Sequence, residues 1–246
     1  MISMHIELSI LICAHNEATY IEKTLSTLKA QECDFPFEIV LVDNASTDNT
    51  AEISRPYIQA LCHCTTRGKI PSLCKGLQRC SAQIIAIADA DTDYHPKWIQ
   101  QIMDEFKRNE NTCLVYGPTY AGETQTCLQS LASSAFARFS LAVGVATSVG
   151  FNMAVRSETL RPILCDAPPF AFSGWGIGTA ILRRYGRESV KYSSNLAVEK
   201  CTRRINSTGI GPSTIRWARE WWRLARGQEL AVMEGEYYGF DITKPQ

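Results

Sequence analysis

The chain has 246 residues, of which 45% are apolar and 20% charged, as in an ordinary globular domain. The formal net charge is zero, which excludes a global electrostatic attraction to nucleic acid or to an anionic membrane. The ten cysteines are spaced neither as a disulfide framework nor as a zinc site. Because no signal-peptide pattern opens the chain, we expect a reducing, cytoplasmic location.

The first half of the chain alternates between short apolar runs and amphipathic segments. Strands are predicted at "ELSILIC", "FEIVLV", "ALCHC", "QIIAIA" and "CLVYG". Helices are predicted at "ATYIEKTLSTLKAQ", after "DNASTDNT" with Ser46 or Thr47 as the cap, and from Pro71 and Pro96. This order predicts an α/β fold with a mostly parallel central sheet and helices on both faces.

The second half is less regular. Helices are predicted at "TCLQSLASSAFARFSL", at "GIGTAILRRYG" up to Gly186, and at "PSTIRWAREWWRLARG". Strands are predicted at "GFNMAVR", "ESVKY" and "NLAVE". Residues 139–155 carry no charge but include several polar side chains and glycines, so we expect a buried helix end followed by a strand rather than a membrane span.

Polar side chains follow the first, second and fourth predicted strands. Because the carboxyl ends of parallel strands gather at one edge of a sheet, these side chains should face one crevice, where ligands bind in open α/β sheets. They are Asn16 and Glu17, Asp43 and Asn44, and Asp89 and Asp91.

The stretch "IIAIADADTDYHP" ends a buried strand in three alternating aspartates. Two carboxylates one residue apart can hold a hard divalent cation, and Mg²⁺ usually takes one or two carboxylates plus phosphates and water. The first half contains neither a GxxxxGK(S/T) loop nor a GxGxxG after its first strand. These features favour a nucleotide site in which carboxylates read the base or ribose and a metal bridges to phosphate.

In order and at normal spacing, four segments resemble the family 2 glycosyltransferases, which have the GT-A fold. They are "LSILICAHNEATYIEKTLSTLKAQ", "FEIVLVDNASTDNTAEI", "RGKIPSLCKGLQ" and "IIAIADADTDYHPKWI". The resemblance covers about the first 110 residues and continues more weakly through "GFNMAVR", "ILRRYGR" and "TRRINSTG". It implies a single GT-A domain with a nucleotide-sugar-binding half (1–117), an acceptor-side half (118–235) and a tail (236–246).

The resemblance also implies residue roles. Asp43 would accept a hydrogen bond from the base, Asp89 would face the ribose, and Asp91 would bind Mn²⁺ or Mg²⁺. Gly150 and Asn152 would line the sugar and acceptor side. The implied donor-binding residues are Ala14, Glu17, Asp43, Gly68, Lys69, Asp89 and Asn152.

Plainer interpretations stay open for several of these residues. Asp43 and Asn44 can close a turn, and Lys69 can be a solvated charge. Asp93 is predicted to belong to the turn into the next helix, and His95 to be a cap or surface residue.

The resemblance fails at one point. Family members usually carry an acidic pair just before the helix written here "ILRRYG", but Gly174 and Trp175 stand at that position. Asp166 is the nearest candidate for a substitute general base. Either another acid replaces the base, or the alignment is displaced in this half, or the protein binds a sugar nucleotide without transferring the sugar.

The expected function is metal-dependent transfer of a sugar from a nucleotide-diphosphate sugar, UDP-linked by preference, to a hydroxyl of a glycan or a lipid-linked acceptor. The alternative is a non-catalytic sugar-nucleotide-binding or scaffolding protein. A nucleotidyltransferase would need a glycine-rich loop after the first strand, which "AHNEATY" lacks. Residues 213–226 form a basic, aromatic helix that can contact a membrane surface, for example the inner face, or dock on the domain. We expect no nucleic-acid partner.

Overall fold

The computed structural model describes residues 5–121, 127–165, 174–200 and 210–228. In these ranges the strands are β1 (Leu8–Ala14), β2 (Phe37–Asp43), β3 (Ala60–His63), β4 (Ile84–Asp89), β5 (Thr92–Asp93), β6 (Leu114–Tyr116), β7 (Thr119–Ala121), β8 (Asn152–Arg156), β9 (Val190–Tyr192) and β10 (Val198–Lys200). The α-helices are α1 (Ile21–Lys29), α2 (Thr50–Ser54), α3 (Lys69–Leu77), α4 (Trp98–Arg108), α5 (Cys127–Ala142), α6 (Ser157–Cys165), α7 (Gly174–Tyr185) and α8 (Ile210–Ala225).

Seven strands form one mixed sheet in the order β3-β2-β1-β4-β8-β6-β9. The first four run parallel to one another, β8 is antiparallel to both β4 and β6, and β9 is parallel to β6. A second sheet has the order β5-β10-β7. The mostly parallel α/β sheet expected from the sequence is confirmed.

The central sheet is covered on both faces, which explains why its strands read as continuous apolar runs. Along β1, Leu8, Ile10 and Ile12 pack into a cluster with residues of α1 and α4. Leu11 points to the other face, where it packs with residues of α3, α6 and α7. The two cores are therefore set by the two-residue period of the strands.

Several helix starts differ from the sequence expectation. α3 begins at Lys69, two residues before Pro71, and α4 begins at Trp98, two residues after Pro96. α2 begins only at Thr50, so the expected caps Ser46 and Thr47 lie before it, and the Thr50 N–H donates instead to Asp48 Oδ1 (3.0 Å). Both expected caps instead hydrogen-bond with Asn16 in the neighbouring loop.

Three elements were not expected at all. α6 carries Pro162 in its interior, a residue that usually ends a helix, so the sequence signal for this helix is weak. β5 and β7 contain two and three residues and are too short for a periodic pattern. In contrast, α7 ends at Tyr185 as expected, and Gly186 follows with a φ of 86°.

Seven cysteines in the described ranges are free thiols. They are Cys13, Cys33, Cys62, Cys64, Cys74, Cys80 and Cys113. Cys62 and Cys64 both lie in the core beside α3, where they pack as small apolar side chains. Burial, and then the nearby charge of Glu38, raises the pKa of the Cys80 thiol to about 12, so this thiol stays protonated near neutral pH. Within the described residues, no helix is both long enough and apolar enough to span a membrane.

The packing of α3 against the sheet generates a stability prediction. A Cβ at Gly76 would lie 2.3 Å from Leu11 Cδ1 and 2.7 Å from Val42 Cγ2. We expect Gly76→Ala to lower the free energy of unfolding by about 1–3 kcal/mol through overpacking, measured by urea denaturation. Leu11→Ala vacates part of this space, so Gly76→Ala should cost less in that background. An equal cost in both backgrounds would contradict direct contact between α3 and β1.

Candidate functional site

The register of the parallel strands places one carboxylate on each side of β1. Ala14 at the end of β1 pairs with Asp43 of β2, and Cys13 pairs with Asp89 of β4. Because neighbouring strands lie about 4.8 Å apart, the Cα atoms of Asp43 and Asp89 are roughly 10 Å apart. The carboxyl-terminal edge of the sheet therefore carries an acid on each side of its central strand.

Asn44 ties the loop after β3 to this edge. Its side-chain Nδ2 donates to the carbonyls of Cys64 (3.1 Å) and Thr66 (2.7 Å), and its Oδ1 accepts from the Gly68 N–H (2.9 Å). The Asn44 amide is buried, so these contacts define the path of residues 64–68. Gly68 has a φ of 129°, a conformation that glycine adopts without strain, and it delivers the chain to Lys69 at the start of α3.

Lys69 reaches across the edge to Asp89. The ammonium Nζ contacts Asp89 Oδ1, and the two side chains are only 20% and 18% exposed. Lys69 is therefore not a solvated surface charge. The pair brings a cation and a carboxylate together at the end of β4, two residues before Asp91.

Tyr94 supports the turn between β4 and β5, which follows Asp89 and carries Asp91 and is called the acidic turn below. Its hydroxyl accepts a hydrogen bond from the Asp89 N–H (3.1 Å) and donates one to the Phe151 carbonyl (2.8 Å). Burial, and then the negative charge of Asp89, raises the pKa of Tyr94 well above its usual value, so the hydroxyl keeps the proton that it donates. The ring centroid lies 4.3 Å from that of Trp98. The turn is thus anchored to the chain entering β8.

The loops after β1 and β2 are joined to each other. Asn16 Oδ1 accepts from the Thr47 N–H (2.7 Å), and the Asn16 N–H donates to Ser46 Oγ (3.1 Å). The Glu17 N–H donates to Thr50 Oγ1 (2.8 Å), which fixes the backbone of Glu17 beside the start of α2. Asn16 itself has a φ of 54°, which asparagine tolerates better than most residues.

Asp43 does close a turn, as one interpretation of the sequence proposed. Its Oδ1 accepts from the Ser46 N–H (3.2 Å), while Oδ2 lies 3.3 Å from Nδ1 of the exposed His63. Asp43 is 6% exposed. A role in binding a base stays a prediction.

Three further residues of the expected site differ in their burial and contacts. Ala14 is buried, and its carbonyl accepts from the Asn44 N–H (2.8 Å), so its side chain and carbonyl are both engaged within the protein. Asp91 lies in the turn between β4 and β5 and is half-buried. Gly150 precedes Phe151, the acceptor of the Tyr94 hydrogen bond.

Asn152 differs most from its expected role. It is 1% exposed, and its Oδ1 accepts from Trp98 Nε1 (3.0 Å). Its Nδ2 donates to the carbonyls of Pro118 (2.8 Å) and Leu196 (2.6 Å). These contacts occupy both ends of the amide, so the geometry favours a structural role for Asn152 over the expected contact with donor.

Two residues next to the acidic turn have structural contacts. Asp93 lies in β5, where its Oδ2 is 2.5 Å from Lys23 Nζ, instead of in the expected turn. His95 is half-buried, and its carbonyl accepts from the N–H of Trp98, the first residue of α4. Burial lowers the pKa of the His95 imidazole, while a backbone hydrogen bond with Asn195 acts in the opposite direction.

The candidate base Asp166 lies outside the described residues. Gly174 and Trp175, which stand where the acidic pair was expected, form the beginning of α7. Tyr94 and Trp98 were not identified from the sequence as parts of the site. Their only sequence signal is their position, three and seven residues after Asp91.

The side chains at the edge fit an oxygen-preferring divalent cation. In the part of the chain that the structure describes, no cluster of three or more His, Cys, Asp or Glu side chains could hold a metal by itself. Asp89 is paired with Lys69, which leaves Asp91 to provide one carboxylate, and Mg²⁺ typically takes one or two carboxylates from a protein when phosphates and water complete its shell. The arrangement therefore suits a cation that arrives with a phosphate ligand.

A cavity of about 1210 Å³ lies at the other edge of the sheet. It is lined by Glu7 just before β1, by Gln83 and Ile84 at the start of β4, and by Arg156 at the end of β8. This amino-terminal edge carries none of the residues described above. The carboxyl-terminal edge remains the candidate site.

The sheet order, the antiparallel β8 and the acidic turn after β4 define a GT-A-type fold. The sequence model of glycosyl transferase family 2 matches residues 9–160, and the chain belongs to that family. This confirms the resemblance drawn from the sequence motifs.

Relatives with known names are similar over limited lengths. Glycosyltransferase AglE of Haloferax volcanii is 29% identical over 102 residues, which is 38% of this chain and 33% of AglE. Chondroitin synthase of Escherichia coli is 31% identical over 117 residues, which is 45% of this chain and 17% of the synthase. The chain thus spans a third or less of the length of these two curated relatives.

Solved structures share the fold over most of the chain. Glucosyl-3-phosphoglycerate synthase from Mycobacterium tuberculosis, in complex with Mn²⁺, UDP and glucosyl-3-phosphoglycerate, gives a TM-score of 0.65 at 20% identity. The match covers 93% of this chain and 82% of that one. The mannosyltransferase PcManGT from Pyrobaculum calidifontis, in complex with GDP-Man and Mn²⁺, gives 0.67 at 20% identity over 93% of this chain and 63% of that one.

The bracing of the acidic turn generates a second prediction. Tyr94→Phe leaves the partly buried Asp89 N–H and Phe151 carbonyl without their shared partner, so we expect a loss of about 1–3 kcal/mol in the free energy of unfolding. Tyr57→Phe is the matched control, because the Tyr57 hydroxyl makes an exposed hydrogen bond with Glu22 (3.2 Å). Urea denaturation measures the free energy of unfolding of both variants. An equal decrease for the two would contradict the stabilising role of the Tyr94 hydroxyl.

Proposed function

We propose that the chain transfers a sugar from a nucleotide-diphosphate sugar, with UDP as the preferred nucleotide, to a hydroxyl of a glycan or a lipid-linked acceptor. The observation that carries this proposal is the Lys69–Asp89 pair at the end of β4, with Asp91 beside it and Asp43 across β1. Membership of the glycosyl transferase family 2 supports the reaction class. The structural neighbours named above, which carry UDP or GDP-Man with Mn²⁺, support the type of donor.

Each side of β1 would take a different part of the donor. The base would lie against Asp43, whose carboxylate accepts a hydrogen bond from a base N–H, with Glu17 beside it in the same pair of loops. The ribose would lie near Asp89. Gly68 and Lys69 would follow the nucleotide towards its phosphates, where the Lys69 ammonium lowers the cost of bringing a diphosphate to an acidic edge.

Asp91 would hold Mn²⁺ or Mg²⁺ together with oxygens of the diphosphate. When bound, such a cation acts as a Lewis acid that stabilises the negative charge of the leaving group. The bracing of Asp89 by Tyr94 keeps the turn that carries Asp91 in one position. Preorganisation of this kind favours the charge distribution of the transition state without further rearrangement.

The acceptor hydroxyl must lose a proton during transfer, and in inverting enzymes a carboxylate takes it. Asp166 is our proposed substitute for the missing acidic pair. Attack from the face opposite the leaving group would then pass through an oxocarbenium-like state, as in inverting glycosidases. A cytoplasmic location stays a prediction from the sequence.

A second candidate function is binding of a sugar nucleotide without transfer. The observation that favours it is the presence of Gly174 and Trp175 where the acidic pair was expected. The two functions share the donor site and differ only in whether the glycosidic bond to the diphosphate is broken. They can therefore be separated by turnover but not by donor binding.

Metal-dependent UDP binding tests the donor site. We expect Mn²⁺ to increase the affinity for UDP, and Asp91→Asn to reduce the affinity measured with Mn²⁺ by about tenfold or more, because a charged metal ligand is lost. Asp93→Asn is the matched control, since that carboxylate pairs with Lys23, and it should leave the affinity unchanged. Isothermal titration calorimetry with and without Mn²⁺ measures both. An Mn²⁺ effect that survived in Asp91→Asn would contradict the assignment.

Donor hydrolysis distinguishes transfer from binding alone. We expect slow release of UDP from at least one UDP-sugar in the presence of Mn²⁺, because water can replace the acceptor, and a lower release rate with Asp166→Asn. A panel of UDP- and GDP-sugars assayed by nucleotide release gives the measurement. Tight binding of donors with no release from any of them would favour the non-catalytic function.

A further inference from the structure

Helix α8 contacts helix α5 through the side chain of Trp221. The Trp221 Nε1–H donates to Ser140 Oγ (2.9 Å), and the Trp221 ring lies 6.1 Å from Phe139 in a stacked arrangement and 6.4 Å from Phe136. Leu224 on the same side of α8 is buried. Contact with α5 thus buries one face of α8, in agreement with one of the two alternatives drawn from its sequence. The opposite face of α8 is exposed to solvent.

The outward surface of these two helices is unusually apolar. Among the described residues eight large hydrophobic side chains are exposed, and all but Tyr185 lie on α5, directly after it, or on α8. They are Leu131, Phe136, Phe139, Val143, Ile215, Trp217 and Trp222. We call these seven residues the aromatic surface. Exposed apolar side chains scattered singly need no explanation, but their concentration in one place indicates an interaction site.

Arginines surround the aromatic surface. Arg138 on α5 and Arg219, Arg223 and Arg226 on or after α8 are exposed. The Arg226 guanidinium lies 4.6 Å from the centre of the Trp222 ring. The sequence of α5 contains no acidic residue and that of α8 contains only Glu220. Because the whole chain has no net charge, this basic character is local.

Helix α5, which carries part of the aromatic surface, contacts the last residue of a strand that ends at the same edge of the sheet as the candidate site. Ser134 Oγ of α5 is 3.0 Å from the hydroxyl of Tyr192, the last residue of β9. β9 is parallel to β6, and β6 and β4 are both antiparallel to β8, so all three end at the same edge. Asp89 ends β4 at that edge.

We propose that the aromatic surface docks on an anionic lipid bilayer. Tryptophan and phenylalanine enter the boundary between headgroups and acyl chains, and arginines beside them pair with anionic headgroups. A second copy of the chain fits less well, because a twofold contact would bring the same arginines from both copies together. Docking in this orientation brings the edge with Asp89 and Asp91 towards the membrane, where a lipid-linked acceptor would be presented.

Vesicle flotation with the full chain tests the proposal, without donor or metal, so its outcome is independent of the proposed sugar transfer. We expect the protein to float with vesicles of phosphatidylcholine and phosphatidylglycerol, and much less with phosphatidylcholine alone. The double variant Phe139→Ser/Trp222→Ser should bind the mixed vesicles roughly tenfold more weakly. Tyr185→Ser is the matched control, because Tyr185 is exposed but lies outside the aromatic surface, and it should bind normally.

A second pair of variants tests whether the arginines contribute to binding of anionic vesicles. Arg219→Gln/Arg223→Gln should reduce the preference for anionic vesicles and its sensitivity to salt, whereas Arg79→Gln, at an exposed position two residues after the end of α3, should not. Equal binding to neutral and anionic vesicles by the unmutated protein would overturn the proposed role of the arginines.

Tryptophan quenching gives a measurement on the unmutated protein, which holds even if the serine variants do not fold. Trp98 is fully buried, whereas Trp217 and Trp222 are exposed on the proposed docking surface. Brominated lipids in anionic vesicles should therefore quench part of the fluorescence. Absence of both flotation and quenching would overturn the proposal. A dimer in solution that Phe139→Ser/Trp222→Ser converts to a monomer, without vesicle binding, would also overturn it in favour of self-association.

Discussion

The register of β1 between its two parallel neighbours is the constraint on which the rest of the site depends. It places Asp43 and Asp89 on opposite sides of the end of one buried strand. A shift of one residue in either pairing would turn the following side chains to the other face of the sheet. The apolar alternation along β1, which fills one core with Ile10 and Ile12 and the other with Leu11, makes such a shift costly. The two cores therefore fix the geometry of the acidic edge.

A second layer of polar side chains turns this edge into a defined site. Asn44 sets the path of the loop to Lys69, and Tyr94 holds the backbone of Asp89. Asn152 joins Trp98 to the backbone carbonyls of Pro118 and Leu196. All three are buried and have their polar atoms occupied within the protein. In this fold, buried polar groups close to the acidic turn serve to position it, and the residues that remain half-buried, such as Asp91, are the ones suited to meet a ligand.

The sequence predicted the parts of the fold that follow from periodicity and strand order. Continuous apolar runs identified β1, β2 and β4, and the position of polar residues after them predicted their common edge. The contacts of Ser46 do not agree with the expected capping role, and those of Asn152 favour a structural role, because both side chains bond to segments distant in sequence. α6 was missed because of its internal proline, and Tyr94 because an aromatic residue after a strand is more often simply core. The local sequence pattern therefore predicted most strands and helices. The roles of individual polar side chains depend on hydrogen bonds to residues distant in sequence, which the pattern does not contain.

A crystal structure of the protein with UDP and Mn²⁺, with the anomalous signal of manganese used to locate the metal, tests the donor site directly. We expect a manganese peak at the Asp91 carboxylate, next to the diphosphate, with the uracil against Asp43 and Lys69 near the phosphates. A manganese peak away from the turn between β4 and β5, or UDP bound at the amino-terminal edge of the sheet, would contradict it.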